Sequence, residues 1–125
     1  MPYTLHTEPG GIICRFTGDF SDEMLQANSE ILKHPDFTTF SYQIIDLTNV
    51  STFSISTSAI VAIAQMDMQH YDSNPTHKVA VISTAAMMKG LNNMYLAYAQ
   101  VAKSGNTWPS QMFTSIQDAL EWIKA

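Results

Sequence analysis

Cysteine occurs once in the 125 residues, so Cys14 has no partner for an internal disulfide, and a disulfide-stapled scaffold is excluded. Cations are also scarce. Six lysines and arginines stand against eleven aspartates and glutamates, for a net charge of -5. Arg15, Lys33, Lys78, Lys89, Lys103 and Lys124 are scattered along the chain, whereas a nucleic-acid footprint needs clustered positive charge. Nucleic acid is therefore not an expected partner. No apolar run approaches the roughly 20 residues that span a bilayer, which leaves peripheral contact as the most that is expected with a membrane. The opening MPYTLHTEPGG has neither the basic segment nor the apolar stretch of a secretory signal. With the single cysteine, this points to a cytoplasmic protein.

Signatures of chemistry are missing as well. There is no G-x-S-x-G elbow, paired-glycine dinucleotide fingerprint or Cys-His signature. His6, His34, His70 and His77 include no i, i+4 pair, so no local pattern announces a metal site. All four are expected on the surface or in loops. No cofactor is expected, and no acid, base and nucleophile are visibly assembled into an enzyme.

What is present is the pattern of one α/β domain over residues 1–125, long enough to bury roughly two thirds of its unfolded surface. YTLHTE and GIICRFTG read as strands joined through Pro9-Gly10-Gly11, where glycine supplies positive φ. Ser21 is placed to cap a first helix with Asp22 and Glu23 in its first turn; Met24, Leu25, Ala27, Ile31 and Leu32 form its apolar face, and His34-Pro35 ends it. YQIIDL is a third strand, its Ile44-Ile45 pair implying burial on both faces. Helices are expected from Ser58 to about Tyr71 and from about Ala85 to Val101, with strand HKVAVIS between them. After the loop KSGNTWPS comes a short strand, QMFTS, and then a helix capped by Ser115 with Asp118 three residues on. The order β-β-α-β-α-β-α-β-α predicts a five-stranded, mostly parallel sheet with an N-terminal antiparallel hairpin and about four helices.

Two stretches carry the functional expectations. Six of the eight residues from Ser51 to Ser58 bear hydroxyls, directly before an apolar helix. Ser54, Ser56, Thr57 or Ser58 there can cap the helix, and a helix N-terminus after a central parallel strand is also a place for an anion or a phosphoacceptor. The segment has no glycine or lysine, which rules out a nucleotide-cradling P-loop. Asp46 reads as a strand-end carboxylate that caps loop N–H groups; as a general base it would need a positioned partner. The second stretch is the pair of long helices, which hold more apolar residues than a surface helix needs. Met66, Met68, Met87, Met88, Met94, Tyr95 and Tyr98 are expected to pack inward in part, with the remainder forming an apolar groove or a homodimer surface.

The element order, IIDLTNV leading into a Ser/Thr turn and an apolar helix, and the closing MFTSIQDALEWIKA together resemble the SpoIIAA-like, or STAS-like, domain family. The last helix matches an Ala-Leu-x-Trp-Leu-type signature through Ala119, Leu120, Trp122 and Ile123. The resemblance implies a regulatory module acting through a protein partner, with a serine in an Asp-Ser-Ser-Gly-like tetrad phosphorylated by a kinase. In this chain Ser54 takes the acidic position, Ile55 the acceptor position and Thr57 that of glycine, so a one-residue slip brings Ser56 to the acceptor position. Lipid-binding domains of the CRAL-TRIO type share the fold in broad terms, which implies the alternative of a small apolar-ligand or lipid carrier using a Met/Tyr-lined groove.

Overall fold

The computed structural model describes residues 2–102 and 106–125. Strands β1 (Tyr3–Glu8) and β2 (Gly11–Phe20) pair antiparallel, and β3 (Tyr42–Phe53), β4 (Lys78–Ile82) and β5 (Ser110–Phe113) follow in parallel, so the spatial order is β1-β2-β3-β4-β5. Helices α1 (Met24–Leu32), α2 (Thr57–Gln69), α3 (Ala86–Ala102) and α4 (Ile116–Lys124) alternate with them as the sequence predicts. Short 3-10 turns at Phe37–Thr39 and Tyr71–Ser73 follow α1 and α2.

Strand alternation divides the core between two faces. Cys14, Ile45, Leu47, Val79 and Val81 pack under α1, α2 and α3. Ile13, Ile44, Ala80 and Ile82 point the other way, beneath Ala119 of α4. The Ile44-Ile45 pair is thus buried on opposite faces, as expected. Cys14 behaves as a core residue: it is fully buried, and loss of solvent pushes its thiol up to about 12.

Several local expectations change. Only Pro9 and Gly10 form the first turn, since Glu8 already pairs with Gly11; Gly10 takes φ 87°. Gly11 belongs to β2 and is small for another reason: a Cβ there would lie 2.3 Å from the ring of Tyr42. Ser21 accepts from the Glu23 N–H at 3.2 Å, but α1 starts only at Met24, leaving Asp22 and Glu23 in the turn before it. Strand β3 runs six residues past Leu47 because β2 accompanies it as far as the Phe20–Phe53 pair, across two irregularities and Gly18 at φ 76°. Its β-branched Thr48, Val50 and Thr52 suit that extension.

The segment KSGNTWPS is a loop over residues 106–109, as expected, and its residues 103–105 lie outside the described residues. Trp108 is 1% exposed and donates from Nε1 to the Asn74 carbonyl at 2.8 Å. Asn74 Nδ2 in turn donates to the carbonyls of Phe37 and Phe40 at 2.9 and 2.7 Å. His77, expected on the surface or in a loop, does lie in the loop before β4 but is fully buried, with Nε2 2.8 Å from Gln43 Oε1 and its ring 4.8 Å from that of Trp108. Burial lowers the imidazole to about 4, so it is neutral at physiological pH. This network ties the segments that follow α1 and α2 to the starts of β3 and β4, in the interior of the sheet.

Candidate functional site

The hydroxyl-bearing segment is half strand and half turn. Ser51 and Thr52 lie in β3, where Ser51 Oγ donates to the Gly18 carbonyl at 3.1 Å and Thr52 Oγ1 to Asp19 Oδ1 at 2.9 Å. Ser54 donates to the other oxygen of Asp19. These two hydroxyls hold the half-buried Asp19 carboxyl below its usual range, Ser54 contributing most. The chain then turns, with the N–H groups of Ser54 and Ile55 both on the Phe20 carbonyl at 3.0 Å.

Ser56 is the N-cap of α2. Its Oγ accepts from the Ala59 N–H at 3.1 Å and donates to Asp22 Oδ2 at 2.9 Å, while its own N–H donates to Asp22 Oδ1 at 2.7 Å. One side chain therefore both starts a helix and grips the corner between β2 and α1. Thr57 and Ser58 are exposed in the first turn and take no part in the cap. Of the hydroxyls named from sequence, Ser54 and Ser56 converge on paired carboxylates, and Thr57 and Ser58 face solvent.

Asp46 is a mid-strand residue. It accepts from Arg15 Nε at 3.3 Å and, on its other oxygen, from the N–H and Oγ1 of Thr48 at 3.0 and 2.5 Å. Arg15, 31 positions away in sequence, comes alongside because β2 and β3 pair in register there.

A second feature lies between the sheet and the helices. A cavity of about 70 Å³ is bounded by Ile45, Val79 and Val81 from the sheet and by Ile60, Ile63 and Met88 from α2 and α3. In its wall is Asp67, 3% exposed, which accepts from Asn28 Nδ2 of α1 at 2.8 Å and from the Tyr95 hydroxyl of α3 at 2.5 Å. Burial raises the Asp67 carboxyl to about 6 against the opposing pull of those donors and of His70. Sequence reading passed over this residue. The available signal was a single carboxylate between Met66 and Met68 on an otherwise apolar helix.

The methionines and tyrosines separate accordingly. Met68 and Met88 are core residues, while Met66, Met94 and Tyr95 are half-buried. Among the described residues, only Met87 and Tyr98, with Val101, are large apolar side chains left exposed. Met88 and Tyr95 reach the cavity; the other five do not line it. Among the described residues, no three His, Cys, Asp or Glu side chains converge as a metal site, and no helix is long and apolar enough to cross a membrane.

The fold is SpoIIAA-like. The anti-sigma factor antagonist SpoIIAA in its unphosphorylated form is similar across 98% of both chains, with a TM-score of 0.63 and 10% identity. Bacillus SpoIIAA in its phosphorylated form gives a TM-score of 0.58 at 10% identity, over 97% of this chain and 98% of that one. A protein of SpoIIAA-like fold from Shewanella loihica gives 0.56 at 15% identity, over 97% and 91%. No family model and no curated protein matches the sequence. At these identities the likeness establishes architecture alone.

Proposed function

We propose that this chain is a non-enzymatic regulatory module that binds a protein partner, with residues 51–58 and the adjoining β2–α1 corner as its recognition surface and Ser56 as its switch. The observation that carries this reading is the two-point tie between Ser56 and Asp22 at the N-terminus of α2. A kinase that transferred a phosphoryl group from a nucleoside triphosphate to Ser56 Oγ would remove the hydroxyl's donor to Asp22. It would also place about -1.5 to -2 charges beside that carboxylate. The helix N-terminus can accept such a group through its free N–H donors. Asp22 cannot, and like-charge repulsion would release the corner. Support also comes from a protein of the same fold that has been solved in unphosphorylated and phosphorylated forms. Those names describe that protein; the transfer to this chain rests on Ser56.

The test is phosphosite mapping of the protein isolated from its own organism, combined with co-purification using Ser56→Ala and Ser56→Asp. A phosphate on Ser56, with one protein retained by the alanine variant and lost by the aspartate variant, is the expected result. Identical partner sets for both variants and an unmodified Ser56 would reduce Ser56 to a helix cap.

A further inference from the structure

Asp67 is the only buried carboxylate among the described residues, and three features of its placement disfavour a negative charge. It is shut off from water, it lies in the last turn of α2, where the helix dipole is negative, and no described lysine or arginine comes within ion-pair distance. Its two hydrogen-bond donors, Asn28 and Tyr95, are neutral. His70, one turn on, adds a weak attraction but spends its Nδ1 on the Met66 carbonyl at 2.9 Å. What the site lacks is a cation.

The cavity beside Asp67 has the size and lining to admit one. At roughly 10 to 15 Å³ for each water-sized occupant, its 70 Å³ holds about five to seven non-hydrogen atoms, far short of an acyl or isoprenoid chain. The walls are mostly branched aliphatic side chains with Phe20, Met24 and Met88; Asn28, Gln43, Asn92 and Tyr95 add polar groups, and Ser110 Oγ, also in the lining, is buried with no hydrogen-bond partner among the described residues. Ile55 and Leu91 line the cavity and are partly exposed, which puts its mouth between the start of α2 and α3.

We propose that this cavity is a binding site for a short aliphatic primary amine, the ammonium pairing with Asp67 and the alkyl body lying among Ile45, Ile60, Val79, Val81 and Met88. An ammonium brings the missing charge and has three donors, more than one carboxylate oxygen requires, so Ser110 Oγ is available as a further acceptor. An alcohol of the same shape supplies no charge. A carboxylate of the same shape is repelled. This site is independent of Ser56 and does not rest on the switch reading.

The test compares isopentylamine, isopentanol and isovalerate by titration calorimetry and thermal shift at pH 7.5. Saturable amine binding about tenfold or more tighter than the alcohol is expected, as a charge-assisted hydrogen bond exceeds a neutral one, with no binding of isovalerate. Asp67→Asn should erase the preference for amine over alcohol, and Val79→Leu, which fills the cavity and leaves Asp67 in place, should weaken both ligands. The wild-type comparison and Val79→Leu decide the matter even if Asp67→Asn folds poorly. Equal affinity for amine and alcohol, no amine binding, or amine binding unchanged in Val79→Leu would each overturn the proposal.

Discussion

The Tyr95 hydroxyl lies 2.5 Å from Asp67 Oδ2, and Asn28 Nδ2 lies 2.8 Å from Oδ1 of the same carboxylate. One buried side chain on α2 is thereby bonded to α1 and to α3. Apolar packing sets how closely these helices lie on the sheet, but it is non-directional; the carboxylate adds a fixed point that sets their registry. The carboxylate also raises the Tyr95 phenol well above its ordinary range, after burial itself, so Tyr95 stays a donor at any physiological pH.

Asp67→Asn should raise stability at pH 7.5. The native carboxyl titrates at about 6 against 3.8 ordinarily, so between these values the folded state binds more protons than the unfolded one, and stability falls as pH rises. At neutral pH the penalty is about 3 kcal/mol at most. Asparagine removes it, and the Tyr95 hydroxyl can rotate to accept from the new amide. The variant's advantage should shrink as pH falls from 6 toward 4. Urea midpoints at pH 7.5, 6, 5 and 4.5 test this, and a difference constant across the series would exclude Asp67 as its source.

His77 produces the opposite slope. It is held neutral down to about 4 against 6.5 ordinarily, so the unfolded state binds the proton first and stability is lost as pH falls through that window. Because Asp67 and His77 oppose each other in wild type, Asp67→Asn should show a steeper acid loss than wild type below pH 6. Adding His77→Gln to that variant should flatten the curve again, and an unchanged slope in the double variant would assign the acid loss elsewhere.

Asn74→Ala should cost about 1 to 3 kcal/mol. It removes the amide donor from the Phe37 and Phe40 carbonyls, which keep the Phe40 N–H and His77 Nδ1 as partners, so the loss is that of two hydrogen bonds at about 0.5 to 1.5 kcal/mol each. The Asn74 backbone carbonyl still accepts from Trp108, so the indole should stay buried in the folded variant. Urea unfolding followed by Trp emission reads both. A loss below about 1 kcal/mol would mean that water replaces the amide.

Much of the architecture is legible because local and global signals agree. Ser115 and Asp118 start α4 as the residue pattern predicts, Ser115 Oγ accepting from the Asp118 N–H at 3.2 Å, and the β-branched run at Lys78–Ile82 is a central strand. Long-range partners explain the misses. His77 precedes a strand in the position of a loop residue, and the distant Phe37, Phe40, Gln43 and Trp108 make it a core residue. Hydroxyls at 51 and 52 suggest a turn until β2 is seen running alongside them. Of the candidate site, Ser56 was legible as a cap, whereas its grip on Asp22 depends on a contact across 34 positions.

Gly11→Ala should destabilise by about 2 kcal/mol or more, because the new methyl would stand 2.3 Å from the Tyr42 ring and backbone holds it there. The ring must leave a site where it is 7% exposed and where its hydroxyl donates to Glu8 at 2.8 Å. Moving a packed aromatic by that much gives an overpacking penalty of about 1 to 3 kcal/mol. In a Tyr42→Ala background the same substitution should cost far less. Equal costs in both backgrounds would trace the effect to the hairpin turn instead of the ring.

Ser56 and Asp22 should be coupled. Ser56→Ala loses an N-cap, worth about 1 kcal/mol, and one hydrogen bond to Asp22; Asp22→Ala loses that bond and the one from the Ser56 N–H. Since one bond is common to both losses, the double variant should be less destabilised than the sum by about 0.5 to 1.5 kcal/mol. The charge argument adds a sharper contrast. Ser56→Asp keeps an acceptor for the Ala59 N–H but sets two carboxylates against each other, so it should destabilise the wild-type background and be relieved by Asp22→Asn. Relief of that kind in chemical denaturation would show that the corner between β2 and α1 responds to charge at position 56, which a phosphate-driven release requires. Additive effects in both cycles would mean that the cap and the corner are energetically separate, and a phosphate on Ser56 would then have no lever on the surface beside it.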